Sequence, residues 1–150
     1  MDTTEKLSPS FVLSEFLDSQ QGARLGIDNT PDAACLAGIR NFLAPGMQKV
    51  RDLLGHPVVI SSGYRCPELN RAVGGARNSD HIRGLAADFT CPGFGRPLDV
   101  AKAIVAAGIQ FDQIIHEGTW VHISFSPNPR KQVLTAKFAN GKASYIGGLS

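Results

Sequence analysis

Two separated stretches of this chain carry side chains that make sense only if they meet. Ser79-Asp80-His81-Ile82-Arg83-Gly84-Leu85-Ala86-Ala87-Asp88 holds a histidine and a carboxylate seven positions apart. Trp120-Val121-His122 adds a second histidine 34 residues after Asp88. A catalytic zinc takes three protein ligands from His and Asp or Glu and leaves its fourth position to water. That water ionises near neutral pH and attacks carbonyls. Read as one set, His81, Asp88 and His122 bind one zinc ion and point to a hydrolase. The set also demands a fold that brings both stretches to one place.

The chain has 150 residues, enough for one domain around one core. A net charge of +2 is too small to make nucleic acid the main partner. It mildly favours approach to an anionic polymer. No apolar run reaches the length of a membrane span, so no membrane insertion is expected. Met1-Asp2-Thr3-Thr4-Glu5-Lys6 lacks the basic start and apolar stretch of a secretory signal, so synthesis and release in the cytoplasm are expected. Cys35, Cys66 and Cys91 are an odd count without close spacing. The plain reading is three reduced thiols. A Cys66–Cys91 bridge stays open, because both flank the proposed site and both precede proline.

There is no internal repeat. Residues 8–17 read as a helix start capped by Ser10 or Ser14, and 22–29 as a loop. Thr30 and Pro31 read as the cap and first position of a second helix. From Asp32 to Leu54, Cys35, Leu36, Ile39, Leu43, Met47, Val50 and Leu54 form one helical stripe. Pro45-Gly46 predicts a kink or a division into two helices, and Gly55 a stop. Strands are expected over 57–62, 85–90, 111–117 and 120–125, with a short helical excursion over 67–73 and a helix over 98–107. Residues 133–136 and 143–146 suggest a last edge hairpin turned at Asn140-Gly141. The class is α+β in a single domain, with N-terminal helices packed on a small, mainly antiparallel sheet that carries the zinc site. Residues 1–56 form the helical part, 57–126 the core of the site and 127–150 a hairpin tail. Lys131, Lys137, Lys142 and Arg130 make that tail basic.

Several motifs reinforce the ligand set. Ser62-Gly63-Tyr64-Arg65, Leu69-Asn70, Val73-Gly74-Gly75, Ser79-x-His81-x-x-Gly84-x-Ala86-x-Asp88 and Trp120-Val121-His122 together resemble the zinc D-Ala-D-Ala peptidases of the M15 type. That group includes bacterial carboxypeptidases and several phage endolysins. The resemblance covers residues 57–126 most firmly. It implies a DD-peptidase/hedgehog-like fold, zinc on His81, Asp88 and His122, and an Arg65 that binds the substrate carbonyl or carboxylate. A guanidinium is always charged and suits either task. Ser79, Asp80, Trp120 and Tyr64 are further candidates for substrate binding. Each has a structural alternative: a loop cap for Ser79 and Asp80, and core packing for Trp120 and Tyr64.

The acid/base group departs from the family patterns. One branch has a Glu three residues before the last ligand, where this chain has Thr119. Another has a His five residues before it, where this chain has Glu117. Strand pairing distinguishes the candidates. A two-residue turn at Gly118-Thr119 sets Glu117 across from Trp120 and Ile115 across from His122. Glu117 then shares a face with His122, and His116 points the other way. A register one residue different would exchange Glu117 and His116.

The resemblance implies a zinc metallopeptidase acting on peptidoglycan stem peptides, as a D-Ala-D-Ala carboxypeptidase or an L-Ala-D-Glu endopeptidase. A phage or prophage lysis or wall-remodelling protein, monomeric and reaching the wall after release or as a virion component, fits a chain without a secretion signal. The alternative is a non-catalytic zinc-binding module of the same fold.

Overall fold

The computed structural model describes residues 1–150. A small ladder of β1 (Lys6–Ser8) and β2 (Phe11–Val12) opens the chain, followed by the single-turn α1 (Ser14–Leu17) and α2 (Gln20–Leu25). Next come α3 (Ala33–Gly38), a π-helical turn over Ile39–Leu43 and α4 (Ala44–Leu54). The centre of the chain contains β3 (Val59–Ser62), α5 (Pro67–Ala72), a 3-10 turn over Asp80–Arg83 and β4 (Ala86–Thr90). After α6 (Pro97–Ala106) come β5 (Gln113–His116), β6 (Val121–Ser124), β7 (Gln132–Ala139) and β8 (Lys142–Gly147).

Six strands form one sheet in the order β3-β4-β6-β5-β7-β8. The fold is a single α+β domain, but the sheet is mixed. The β3–β4, β4–β6, β5–β6 and β7–β8 pairs are antiparallel, and β5–β7 is parallel. The expected tail hairpin therefore docks alongside β5 in the same direction. Asp112 secures that junction. Its side chain accepts from the Arg130 backbone N–H at 3.0 Å and from guanidinium nitrogens at 3.0 and 2.9 Å. Its carbonyl accepts from Gln132 N at 2.9 Å.

Alternation divides the sheet. Ala87, Phe89, Val121, Ile123 and Ile114 join the core, where they cluster with Ile39, Leu43, Met47, Val50 and Leu54 and with Val100, Ala101 and Ile104 of α6. The intervening residues Asp88, His122 and Ile115 occupy the other face. The helical stripe is therefore buried from Ile39 to Leu54 as its spacing predicts, while Cys35 and Leu36 at its start are partly buried.

Local details differ from the sequence expectations for identifiable reasons. Residues 8–12 form the end of β1, a turn at Pro9-Ser10 and β2 instead of a helix start, because Phe11 and Leu13 bury with a period of two. Ser10 bonds Gln48 instead of capping, and α1 starts after Leu13 with no side-chain cap. Part of the expected loop over 22–29 is α2, capped by Ser19 Oγ on Gly22 N at 3.1 Å. Asp32, not Thr30, caps α3 by accepting from Cys35 N at 2.8 Å, which leaves Pro31 outside the helix. Pro45 does not divide the long helix. The π turn just before it widens the backbone where proline offers no N–H. Gly46 is required by close approach, since a Cβ there would meet the Phe125 ring at 2.5 Å. Cys35, Cys66 and Cys91 are all free, so no Cys66–Cys91 bridge forms. Cys66 Sγ instead caps α5 at Leu69 N, 3.4 Å away.

The Asp112 junction generates a stability prediction. Asp112→Asn should cost about 1–3 kcal/mol, the range for charge-assisted hydrogen bonds, toward the lower end because the Arg130 guanidinium is more than half exposed and screened. Hydrogen bonds from the Arg130 side chain hold the Asp112 carboxyl below its ordinary value of 3.8. A depressed carboxyl contributes stability above its unfolded pKa and loses it as pH falls through the folded one. Denaturant unfolding should therefore show a wild-type advantage over the variant that is full at neutral pH and shrinks below about pH 4. An advantage constant down to pH 2 would contradict this role.

Candidate metal centre

The β4–β6 register sets Asp88 directly opposite His122. His81 arrives from a different direction, on the 3-10 turn that Ser79 caps by accepting from His81 N at 3.2 Å. Gly84 closes that turn at φ +72°, and a Cβ there would lie 2.5 Å from the Cys35 carbonyl oxygen. Glycine thus permits both the left-handed backbone and the close pass beneath α3.

The loop after β3 holds the histidine turn. His81 Nδ1 donates to the Gly63 carbonyl at 2.6 Å, and Arg65 N donates to the His81 carbonyl at 3.0 Å. A carbonyl only accepts, so Nδ1 carries a proton, and in the neutral ring Nε2 is the nitrogen left to bind a metal. That Nε2 lies 3.2 Å from Asp88 Oδ1, and His122 Nδ1 lies 2.9 Å from the same oxygen. The two rings meet edge-on with centroids 5.1 Å apart.

This arrangement fits a metal. Lone pairs of His81 Nε2 and a carboxylate oxygen repel at that distance unless a cation lies between them. The three ligand atoms all fall within 4.8 Å of one another. Tetrahedral zinc with bonds of about 2.0–2.1 Å holds its ligands about 3.3 Å apart. Burial pushes the Asp88 carboxyl up, but the His122 and His81 imidazoles beside it outweigh this and hold the group well below the usual carboxylate range. Asp88 is therefore an anion ready to bind.

The ligands floor a cleft of about 780 Å³, whose walls include Arg65, Ser79, Asp80, Glu117 and Trp120. Glu117 is brought there by the register: Ile115 pairs with His122, and Glu117 N donates to Trp120 O at 3.0 Å. Gly118 turns the chain at φ +88°. Burial raises the Glu117 carboxyl, Asp88 adds to the rise, and His122 and His116 oppose it. His116 points to the other side of the sheet, where its Nδ1 lies 3.0 Å from Ser150 O.

Arg65 has no carboxylate within ion-pair distance. Asp80 pairs with Arg83 instead. The Arg65 Nε is buried without a partner, and Nη2 contacts Ser79 Oγ at 3.4 Å. Burial lowers the guanidinium pKa, and Asp88 partly offsets this. Ser79 thus combines capping with a contact to Arg65. Tyr64 does not reach the cleft. It lies in the core with burial pushing its phenol up to about 12, so the structure gives the expected substrate contact no support. His56 is exposed and does not line the cleft.

Other contributors were not legible as site residues. Asn70 is buried; its Nδ2 donates to Ala76 O at 2.9 Å and its backbone carbonyl accepts from Gly75 N. A Cβ on Gly75 would lie 2.1 Å from Asn70 Oδ1, which explains the glycine. Tyr145, Phe138 and Leu134 of the tail hairpin also line the cleft. Their link to the site depends on the parallel β5–β7 pairing, for which the sequence has no local signal. Burial, with the charges of Glu117 and Asp88, raises the Tyr145 phenol.

Equilibration with zinc should load one ion per chain and raise the melting temperature. His81→Ala should abolish stoichiometric loading, read by elemental analysis after dialysis. Acidification should release the ion, because histidine ligands must be neutral. Full loading of the variant would exclude this ligand set.

Comparison with known families agrees with the geometry. A family model described as Peptidase M15 matches residues 9–124, which include the three candidate ligands and Glu117. No curated protein matches the chain. The match spans well over half of the sequence, and the chain belongs to the peptidase M15 family.

Proposed function

We propose that the chain is a zinc metallopeptidase that hydrolyses stem peptides of bacterial peptidoglycan. The observation that carries this reading is the company Glu117 keeps: a half-buried carboxylate with a raised pKa beside three convergent ligand atoms in one open cleft. When bound, zinc supplies Lewis acidity and lowers the pKa of a water at its open position. His81 Nε2, Asp88 and His122 hold the ion. Glu117 takes a proton from the attacking water and returns it to the leaving amine. Arg65, free of any carboxylate partner, stabilises the developing oxyanion or holds a substrate carboxylate.

The substrate class is carried over from the family resemblance of the Ser-Gly-Tyr-Arg, Ser-x-His and Trp-Val-His motifs. D-Ala-D-Ala carboxypeptidase action is the favoured bond choice, with L-Ala-D-Glu endopeptidase action as the variant. A monomeric lysis or wall-remodelling enzyme of phage or prophage origin, acting at the cell wall, accords with these features. No helix is long and apolar enough to cross a membrane. A non-catalytic zinc module would lack a proton acceptor near the ligands, so the position of Glu117 in the cleft argues against that reading.

Incubation with the pentapeptide L-Ala-γ-D-Glu-L-Lys-D-Ala-D-Ala, read by mass spectrometry, should give one defined cut. Glu117→Gln should retain zinc and lower turnover about 100- to 10,000-fold. His116→Ala should change turnover far less. A zinc-loaded wild type that leaves the peptide intact would favour the binding module. A severe His116→Ala defect beside a near-normal Glu117→Gln would overturn the acid/base assignment.

The bond choice has its own test. A carboxypeptidase must recognise a free C-terminal carboxylate, and Arg65 is the cation available for it. Amidating the pentapeptide C-terminus should weaken cleavage strongly, and Arg65→Lys should not restore the lost discrimination, because an ammonium lacks the planar fork. Equal cleavage of amidated and free peptides would exclude the carboxypeptidase version.

A further inference from the structure

One wall of the cleft comes from outside the stretch that carries the metal ligands. The family match ends at residue 124, yet Leu134, Phe138, Ala143 and Tyr145 of β7 and β8 line the same cleft. The strand register accounts for this. Ile115 pairs with His122 on one side and with Leu134 on the other. Along the tail hairpin, Leu134 pairs with Gly147, Ala136 with Tyr145 and Phe138 with Ala143. Paired residues share a face, and successive residues alternate. Phe138 and Tyr145 therefore stand on the face of Asp88 and His122, while Lys137 and Lys142 fall on the opposite one.

Both aromatic side chains are open, Tyr145 at 51% and Phe138 at 60% exposure. The small residues Ala136 and Ala143 leave room beside them. A tyrosine in such a place offers a rigid apolar ring and a phenolic donor at low entropic cost. Its distance from the metal ligands defines what it can contact. β8 lies three strand spacings from β6, about 14 Å at roughly 4.8 Å per spacing. An extended peptide advances about 3.3 Å per residue. Allowing for the reach of the side chain, Tyr145 would meet a peptide bound at the ligands about two or more residues from the reacting bond.

Resting on the peptidase reading above, we propose that Tyr145 is a specificity-determining residue that reads the length of the substrate. Its ring packs against the peptide beyond the scissile bond, its O–H donates to a backbone carbonyl there, and Phe138 extends the wall. The occupant is the peptide substrate, because this surface continues the face on which Asp88 and His122 stand.

The test compares the pentapeptide with the same sequence shortened to three residues around the bond that is cut, on zinc-loaded protein. Wild type should favour the pentapeptide about tenfold or more in kcat/KM. Tyr145→Ala should bring that ratio close to one, and Tyr145→Phe should lower it about 3- to 10-fold, as for one lost hydrogen bond. Zinc content and melting temperature should match wild type in both variants. A ratio that Tyr145→Ala leaves unchanged, or a wild type indifferent to length, overturns the inference and leaves the peptidase reading intact. A Tyr145→Phe ratio equal to wild type removes the hydrogen bond from the proposal. A zinc-loaded wild type that cuts neither peptide overturns the peptidase reading, and this inference with it.

Discussion

The shared oxygen of Asp88 is the point on which this structure turns. His81 Nε2 and His122 Nδ1 both approach Asp88 Oδ1, at 3.2 and 2.9 Å. The approach of His122 is fixed by the β4–β6 pairing. A slip of one residue would send Asp88 into the core and bring Phe89 out. Burial of Phe89, Ala87, Val121 and Ile123 therefore sets the geometry of the candidate site as well as the stability. Core and site occupy opposite faces of the same strands, so neither register can change alone.

His81 depends on different physics. It sits on a 3-10 turn, where no strand pairing defines its position. The Gly63 carbonyl fixes its ring and tautomer, and the Arg65–His81 backbone bond ties its turn to the loop after β3. The Ser-Gly-Tyr-Arg motif thus has two tasks in the proposed mechanism. Its backbone orients a ligand, while the Arg65 side chain faces the cleft without a carboxylate partner. Tyr64, between them, belongs to the core.

What could be read from the sequence follows from where the signals are local. The helical stripe from Ile39 to Leu54, the alternation of Leu85 to Thr90 and the two-residue turn at Gly118-Thr119 are short-range patterns, and the structure has each of them. The Glu117 orientation followed from that turn alone. Caps moved by a residue or two where several polar residues compete, as with Thr30 and Asp32. The N-terminal ladder was missed because Phe11, Leu13 and Phe16 suit either a strand or a helix. The parallel β5–β7 pair was illegible, because it rests on Asp112 and Arg130, 18 residues apart and tied by side-chain chemistry. Everything that depends on that pair, including the aromatic wall of the cleft, was hidden with it.

The central claim is that a single zinc is held by two imidazoles and one carboxylate, with a position left for water. X-ray absorption at the zinc edge of the loaded protein measures this directly. The account predicts a four-coordinate shell of nitrogen and oxygen at about 2.0–2.1 Å, with the outer-shell scattering of two imidazole rings. A sulfur contribution at about 2.3 Å would assign the ion to Cys35, Cys66 or Cys91 instead, and a shell with fewer than two imidazoles would contradict the pairing of His81 with His122.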